Sequence, residues 1–209
     1  NDSISVNLAS WAALDVEVLP NALTASGVVL EQDSIPQLLS VFKGLVPQQN
    51  DIAKVTPIDA LSVVSITFND FERFQNNLQQ FRAIKVTDNY KSYLFESISE
   101  IGKIELPDGN AMILKSIDPT LTYEALSTYI NQKENYKELE INEFNKVDLF
   151  SDFLSPFLKK TAANFVFQLD EFFVFTENSE LAKQIITSYL NNNCLSKTMY
   201  YQEALTQLS

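Results

Sequence analysis

The chain has 209 residues, 45% of them hydrophobic and 20% charged, with 15 Phe and 8 Tyr. Such a composition supports a full-sized core and excludes a disordered chain. The net charge is −12, the 15 Lys and Arg are scattered, and Lys159-Lys160 is the one basic pair, so nucleic acid and anionic membrane surfaces are excluded as expected partners.

In chain order, Ile4, Val6 and Leu8 alternate, and so do Leu14, Val16 and Val18. Spacing of two residues puts each set on one face of a strand. Pro20-Asn21 supplies a turn, and Leu23 to Leu30 returns as an antiparallel partner. Asp33 or Ser34 caps a short helix with Pro36 in its first turn, Leu38, Leu39 and Phe42 on its buried stripe, and Gly44 at its end. Residues 46–57 read as a linker and supply the internal boundary. The expected division is a β-rich segment 1–52 and an α+β region 53–209, or one continuous domain.

Leu61 to Phe68 reads as a strand, Asn69 or Asp70 as a cap, and Phe71, Phe74, Leu78 and Phe81 as one face of a helix. A hairpin follows: Ile98 to Leu106, a turn at Pro107-Asp108-Gly109-Asn110, then Ala111 to Ile117. Asp118-Pro119 opens a helix whose expected inner face is Leu121, Ala125, Leu126, Tyr129 and Ile130. Residues 132–148 are polar and carry no clear period. Pro156 limits a short helix expected over Phe153 to Leu158.

The last third repeats the scheme. Phe165, Phe167 and Leu169 alternate, Asp170-Glu171 turns, and Phe173 and Phe175 alternate back. Asn178 or Ser179 caps a helix through Leu181, Ile185, Ile186, Tyr189 and Leu190, ended by Asn191-Asn192-Asn193, and a final helix spans Tyr200 to Leu208. Setting Leu114 on Val174 aligns Asp118 with Asn178, Leu121 with Leu181, Leu126 with Ile186 and Tyr129 with Tyr189, without a gap. The expected fold class is therefore α+β: a mainly antiparallel sheet, helices layered on one face, and two hairpin–helix units that superimpose.

Catalytic chemistry finds little here. There is no histidine, which removes the commonest general base and metal ligand. Cys194 is the single cysteine, so no intrachain disulfide forms. It follows an Asn run near a helix end, where the dipole disfavours a thiolate. Gly27, Gly44, Gly102 and Gly109 are too dispersed for a phosphate loop. No run of about 18 apolar residues spans a membrane. Among the 27 acidic residues, Asp70, Asp118, Asp170 and Glu171 lie near strand ends and are candidates for paired-carboxylate hydrolysis. Each also has a structural role, as a helix cap or hairpin tip. Trp11, Phe172, Tyr200 and Tyr201 are the aromatics whose pattern does not bury them, and so are candidates for a binding platform. No residue is assigned to catalysis, cofactor or metal.

Two segments carry a family likeness. Val55-Thr56-Pro57-Ile58-Asp59-Ala60 precedes a strand and a capped helix. Phe172 to Leu181 is followed by Leu195-Ser196 and Tyr201-Gln202-Glu203-Ala204. Residues 52–209 thus resemble the domain-of-unknown-function 3352 class of bacterial proteins, in an Asn- and Phe-rich style similar to exported Bacteroidetes proteins. The resemblance implies export or a lipid anchor, further domains in the same chain, and no catalytic residue to carry over. The chain opens at Asn1 and shows no signal peptide, which leads to the expectation of a longer precursor. The expected function is a non-catalytic extracytoplasmic binding or scaffold module whose partner is a protein or envelope component. A glycosidase-like hydrolase and a calcium-dependent adhesion module are the alternatives.

Overall fold

A computed structural model describes residues 8–19, 22–30, 37–82, 93–146, 149–157 and 161–208. The expected strand through Ile4 and Val6, the turn at Pro20-Asn21, the cap at Asp33 or Ser34 with Pro36, and the Lys159-Lys160 pair lie outside them. The chain divides into two compact units, one of residues 1–45 and 72–91, the other of residues 46–71 and 92–209.

In the first unit, β1 (Trp11–Leu19) pairs antiparallel with β2 (Ala22–Leu30). Directly opposed residues share a side of the ribbon, and sides alternate along each strand. The register sets Leu14 against Gly27, Val16 against Ala25 and Val18 against Leu23, so one face is wholly apolar. The reverse face sets Asp15 against Ser26 and Glu17 against Thr24. The expected helix after it is a 3-10 turn, Leu38–Phe42, closed at its start by reciprocal bonds between Gln37 and Ser40 and ended by Gly44 at φ +75°. Val41 is fully buried, while Leu38, Leu39 and Phe42 are half-buried. Helix α1 (Phe71–Arg82) has the expected stripe, with Phe74 and Leu78 buried. Phe74 lies against the Phe42 ring, and the Asn77 amide donates to the carbonyls of Val41 and Lys43 at 3.0 Å each.

The second unit is built on seven antiparallel strands in the order β3 (Ser62–Thr67), β4 (Ile98–Leu106), β5 (Gly109–Ser116), β9 (Phe172–Thr176), β8 (Phe165–Leu169), β7 (Leu139–Phe144) and β6 (Ile130–Tyr136). Its helices are α2 (Pro119–Leu126), α3 (Leu149–Leu154), α4 (Ser179–Leu190) and α5 (Met199–Leu208). The α+β class and the antiparallel sheet are as the pattern predicts. So are both caps, where Asp118 accepts from the Leu121 N–H at 3.1 Å and Asn178 from the Leu181 N–H at 2.9 Å.

Helices cover both faces of this sheet, not one. Ile113 and Val174 are paired and pack with Leu181, Ala182, Ile185 and Ile186 of α4. The neighbouring Phe175 points the other way and meets Phe144 and, from α3, Phe150 in edge-on contacts at 4.9 Å. Leu126 of α2 shares a cavity with Phe173 and Val166 of that second face. This is why all five residues of β9 are buried, and why Phe172 is core rather than a platform. A run buried on both sides is apolar continuously, not alternately.

The two hairpin–helix units are accordingly not copies: α2 and α4 leave on opposite faces. Leu121 is 55% exposed where Leu181 is 1%. Thr122 and Leu126 are the buried residues of α2 instead. Thr122 joins a hydroxyl chain with Ser97 and Ser116 at 2.7 Å each. Helix α2 stops at Leu126, and Tyr129 and Ile130 go to a 3-10 turn and to β6. The hairpin β6–β7 lies in the polar stretch whose sequence carries no clear period. It turns through Lys137 and Glu138, both at positive φ without glycine, and carries polar residues because β6 is the sheet's edge. Helix α3 lies four residues earlier than expected, before the cis Ser155-Pro156 bond.

Candidate functional site

A dense charged network lies on the α4 side of the sheet. Gly102 of β4 opens it: a Cβ there would stand 1.9 Å from the Ile52 Cδ1. Without that side chain, the 3-10 turn Ile52–Lys54 seats on the sheet. Its leading N–H groups, Asp51 at 2.8 Å and Ile52 at 3.3 Å, donate to the Glu100 carboxylate. Asp51 in turn accepts from Lys54 at 2.8 Å, from Lys115 of β5, and from the Gln49 amide at 3.3 Å.

The two carboxylates are pushed apart. Burial raises Asp51, but hydrogen bonds from Lys115 and Lys54 outweigh it and hold the carboxyl below its ordinary range. For Glu100 burial dominates and raises its pKa, although the backbone donors of Asp51 and Ile52 oppose it. Opposite shifts in neighbouring carboxyls are what acid–base chemistry needs. Access is what it lacks: Glu100 is 1% and Asp51 6% exposed. Their acceptor oxygens are occupied by the turn and the two lysines. The arrangement fastens the turn to the sheet.

Among the described residues none of the sequence candidates hydrogen-bonds Asp51 or Glu100, although the charge of Glu171 acts on Lys54. Asp118 is a helix cap, and Asp170, at the β8–β9 turn with φ +49°, accepts from the Tyr189 hydroxyl. Burial, and next that bond, push the Tyr189 phenol up to about 12. Glu171 gives its backbone carbonyl to the Ser116 N–H. The Asn69 side chain accepts from the Val46 N–H at 2.8 Å, and Asp70, just before α1, is half-buried. Cys194 is buried, bridges to Pro57, and burial pushes its thiol up to about 11. Trp11, at 56%, and Tyr200 are exposed. Tyr201 is partly buried, its pKa raised by burial and next by the charges of Glu100 and Asp51.

Open cavities lie on both sides of the sheet. One, of about 400 Å³, lies on the α2 side, floored by Leu126, Val166 and Phe173 and rimmed by Glu138, Glu140 and Asp170. Another, of about 560 Å³, lies along α4 and holds Lys183, which pairs with Glu180 at 2.9 Å and Glu134 at 3.3 Å. Neither is lined by Asp51 or Glu100. Among the described residues no three Asp, Glu or Cys side chains gather where a metal ion would be held, and no helix is long and apolar enough to cross a membrane.

Sequence reasoning missed Asp51, Glu100 and Lys115. Asp51 sits in what reads as a linker, and Glu100 in an alternating strand where a charged residue suggests a solvent face. The signal that could have found them is Gly102, a glycine inside a strand, which marks a close approach. No protein-family model, no curated protein and no solved structure matches the chain.

Proposed function

We propose that the chain is a non-catalytic, extracytoplasmic binding module of a longer cell-envelope protein, and that the β1–β2 ribbon is its docking element. The observation that carries this is the ribbon's uncharged face. Leu14, Val16, Val18, Leu23 and Val29 lie on it, and each is exposed, Val18 by 78%. A contiguous apolar surface of this kind marks an interaction site, and a two-stranded ribbon alone is marginally stable in water. The occupant is a protein with an apolar strand or helix and a basic rim. Trp11–Leu30 contains no Lys or Arg, and its two carboxylates, Asp15 and Glu17, lie on the reverse of β1, behind the apolar face. A second copy would bring −12 against −12. The envelope location rests on the likeness of residues 52–209 to the domain-of-unknown-function 3352 class.

The test is a photo-crosslinking residue placed at Val16, on the apolar face, or at Thr24, on the reverse, in native envelope fractions. Val16 is expected to yield an adduct with one protein whose linked peptide is flanked by Lys or Arg, and Thr24 none. Adducts from both positions, with a second copy only, or with lipid only, would overturn it. A hydrolase reading has the opposed carboxyl shifts of Asp51 and Glu100 in its favour. It predicts aryl-glycoside turnover abolished by Asp51→Asn, and the binding-module reading predicts none in either form.

A further inference from the structure

The cavity along α4 has the mixed lining that suits a hydroxyl-rich ligand. Its apolar part is Leu106 at the end of β4, Pro107 in the turn that follows, and Pro57. Its polar part has two sources. Helix α4 presents Lys183, Gln184 and Ser188, while the loop before β3 presents Asp59 and the β4–β5 turn Asp108. Some of these groups hold one another in place: Gln184 donates to Asp108 at 3.1 Å, and Lys183 is paired with Glu180 at 2.9 Å. Hydrogen-bonding capacity is left over. The Gln184 bond engages one carboxylate oxygen of Asp108 and leaves the other, together with the Gln184 carbonyl, as acceptors. Among the described residues no group is hydrogen-bonded to the Asp59 carboxylate or to the Ser188 hydroxyl. The volume, about 560 Å³, lies in the range of small-ligand sites.

We propose that this cavity is a binding site for a neutral saccharide. A pyranose lays its C–H face on Pro57, Leu106 and Pro107, and its hydroxyls donate to Asp59 and Asp108 and accept from Ser188. Hydroxyl donors bond more strongly to charged acceptors than to neutral ones, and side chains already fixed by one another lose less freedom on binding. The same lining disfavours charged ligands. An ammonium would use the acceptors alone and meet the Lys183 charge, and a carboxylate would meet Asp59 and Asp108. The site is in the seven-stranded unit and does not depend on the ribbon's role.

Titration of the full 209-residue chain, followed by NMR, tests it. The probes are the methyl glycosides of glucose, galactose, mannose and N-acetylglucosamine, with the amino sugar and the uronate of matching configuration as charged controls. At least one neutral glycoside should shift resonances of Asp59, Gln184 and Ser188 saturably and bind more tightly than either charged control. Asp59→Ala should weaken that binding about tenfold, the worth of a hydrogen bond to a charged group. Gln184→Ala should weaken it as well, by freeing Asp108 from its fixed position. Both side chains are exposed, so neither change threatens the fold. Ser188→Trp should fill the cavity and abolish binding. No saturable shift with any of the glycosides, shifts confined to other residues, tighter binding of the amino sugar or the uronate, or undiminished affinity in Asp59→Ala would overturn the proposal. Should Ser188→Trp fail to fold, the Asp59 and Gln184 variants decide.

Discussion

β9 and one face of the β1–β2 ribbon are both apolar and are treated in opposite ways. Phe172 to Thr176 is buried on both sides, by α4 on one and by α3 and Phe144 on the other. The ribbon spreads Leu14, Val16, Val18 and Leu23 over one face and leaves them exposed. Each buried Phe of β9 contributes roughly 2–3 kcal/mol, while the ribbon residues keep that gain unrealised. An apolar strand therefore says that a face is to be covered, not what covers it. One element is completed within its own unit, and under the proposed function the other is completed by a partner.

The comparison breaks most sharply at Phe175. Phe175→Ala should lower stability by about 4 kcal/mol, as other buried Phe truncations do. Urea unfolding followed by circular dichroism checks it, and a loss below about 1 kcal/mol would mean the second face is loosely packed. Next is the network that ties the Ile52–Lys54 turn to the sheet. Asp51→Asn should cost about 2 kcal/mol at neutral pH, because it leaves Lys115 and Lys54 without their carboxylate.

Its pH dependence has two signs. Asp51 has a lowered pKa, so its contribution is present above the unfolded value near 3.8 and is lost as pH falls through the folded one. Glu100 has a raised pKa, so stability rises as pH falls from its folded value toward about 4.5. Wild-type stability should thus peak in mild acid. Glu100→Gln should remove the rise and keep the acid-side fall, read from melting temperatures across pH 3–8 (about the range in which these carboxyls titrate).

Smaller effects sharpen the contrast. Asn178→Ala should cost about 1 kcal/mol through the lost cap of α4. Val16→Thr keeps a β-branched side chain on an exposed face and should change stability by less than about 0.5 kcal/mol. A larger loss would show that the ribbon face is already covered. Trp11 is the single tryptophan and lies in the ribbon. Its fluorescence therefore follows that element apart from the sheet.

Local chemistry made much of this legible. Both caps, three of the four hairpins, the α1 stripe at Phe74 and Leu78, and the Asn191–Asn193 stop act within a few residues of sequence. What failed depends on partners distant in the chain. Phe172 and Val174 read as the wrong half of an alternation because nothing local announces α4 and α3 on opposite sides. Leu121 shares the sequence register of the buried Leu181 yet is exposed, because α2 and α4 follow opposite faces of the sheet. The β6–β7 hairpin turns on Lys137-Glu138 without the usual glycine, and its edge position strips away the apolar signal. Asp51 and Glu100 meet across 49 residues, a pairing that only Gly102 hints at.

Hydrogen–deuterium exchange on the 209-residue chain, resolved by peptide, tests the central contrast most directly. Backbone amides of β4, β5, β8 and β9 should open only with the unfolding of their whole unit. Those of Trp11–Leu19 and Ala22–Leu30 should exchange several orders of magnitude faster, since a two-stranded ribbon lacks independent stability. Ribbon amides as slow as those of β5 and β9 would contradict the account, for they would mean that its apolar face is already covered and is not waiting for a partner.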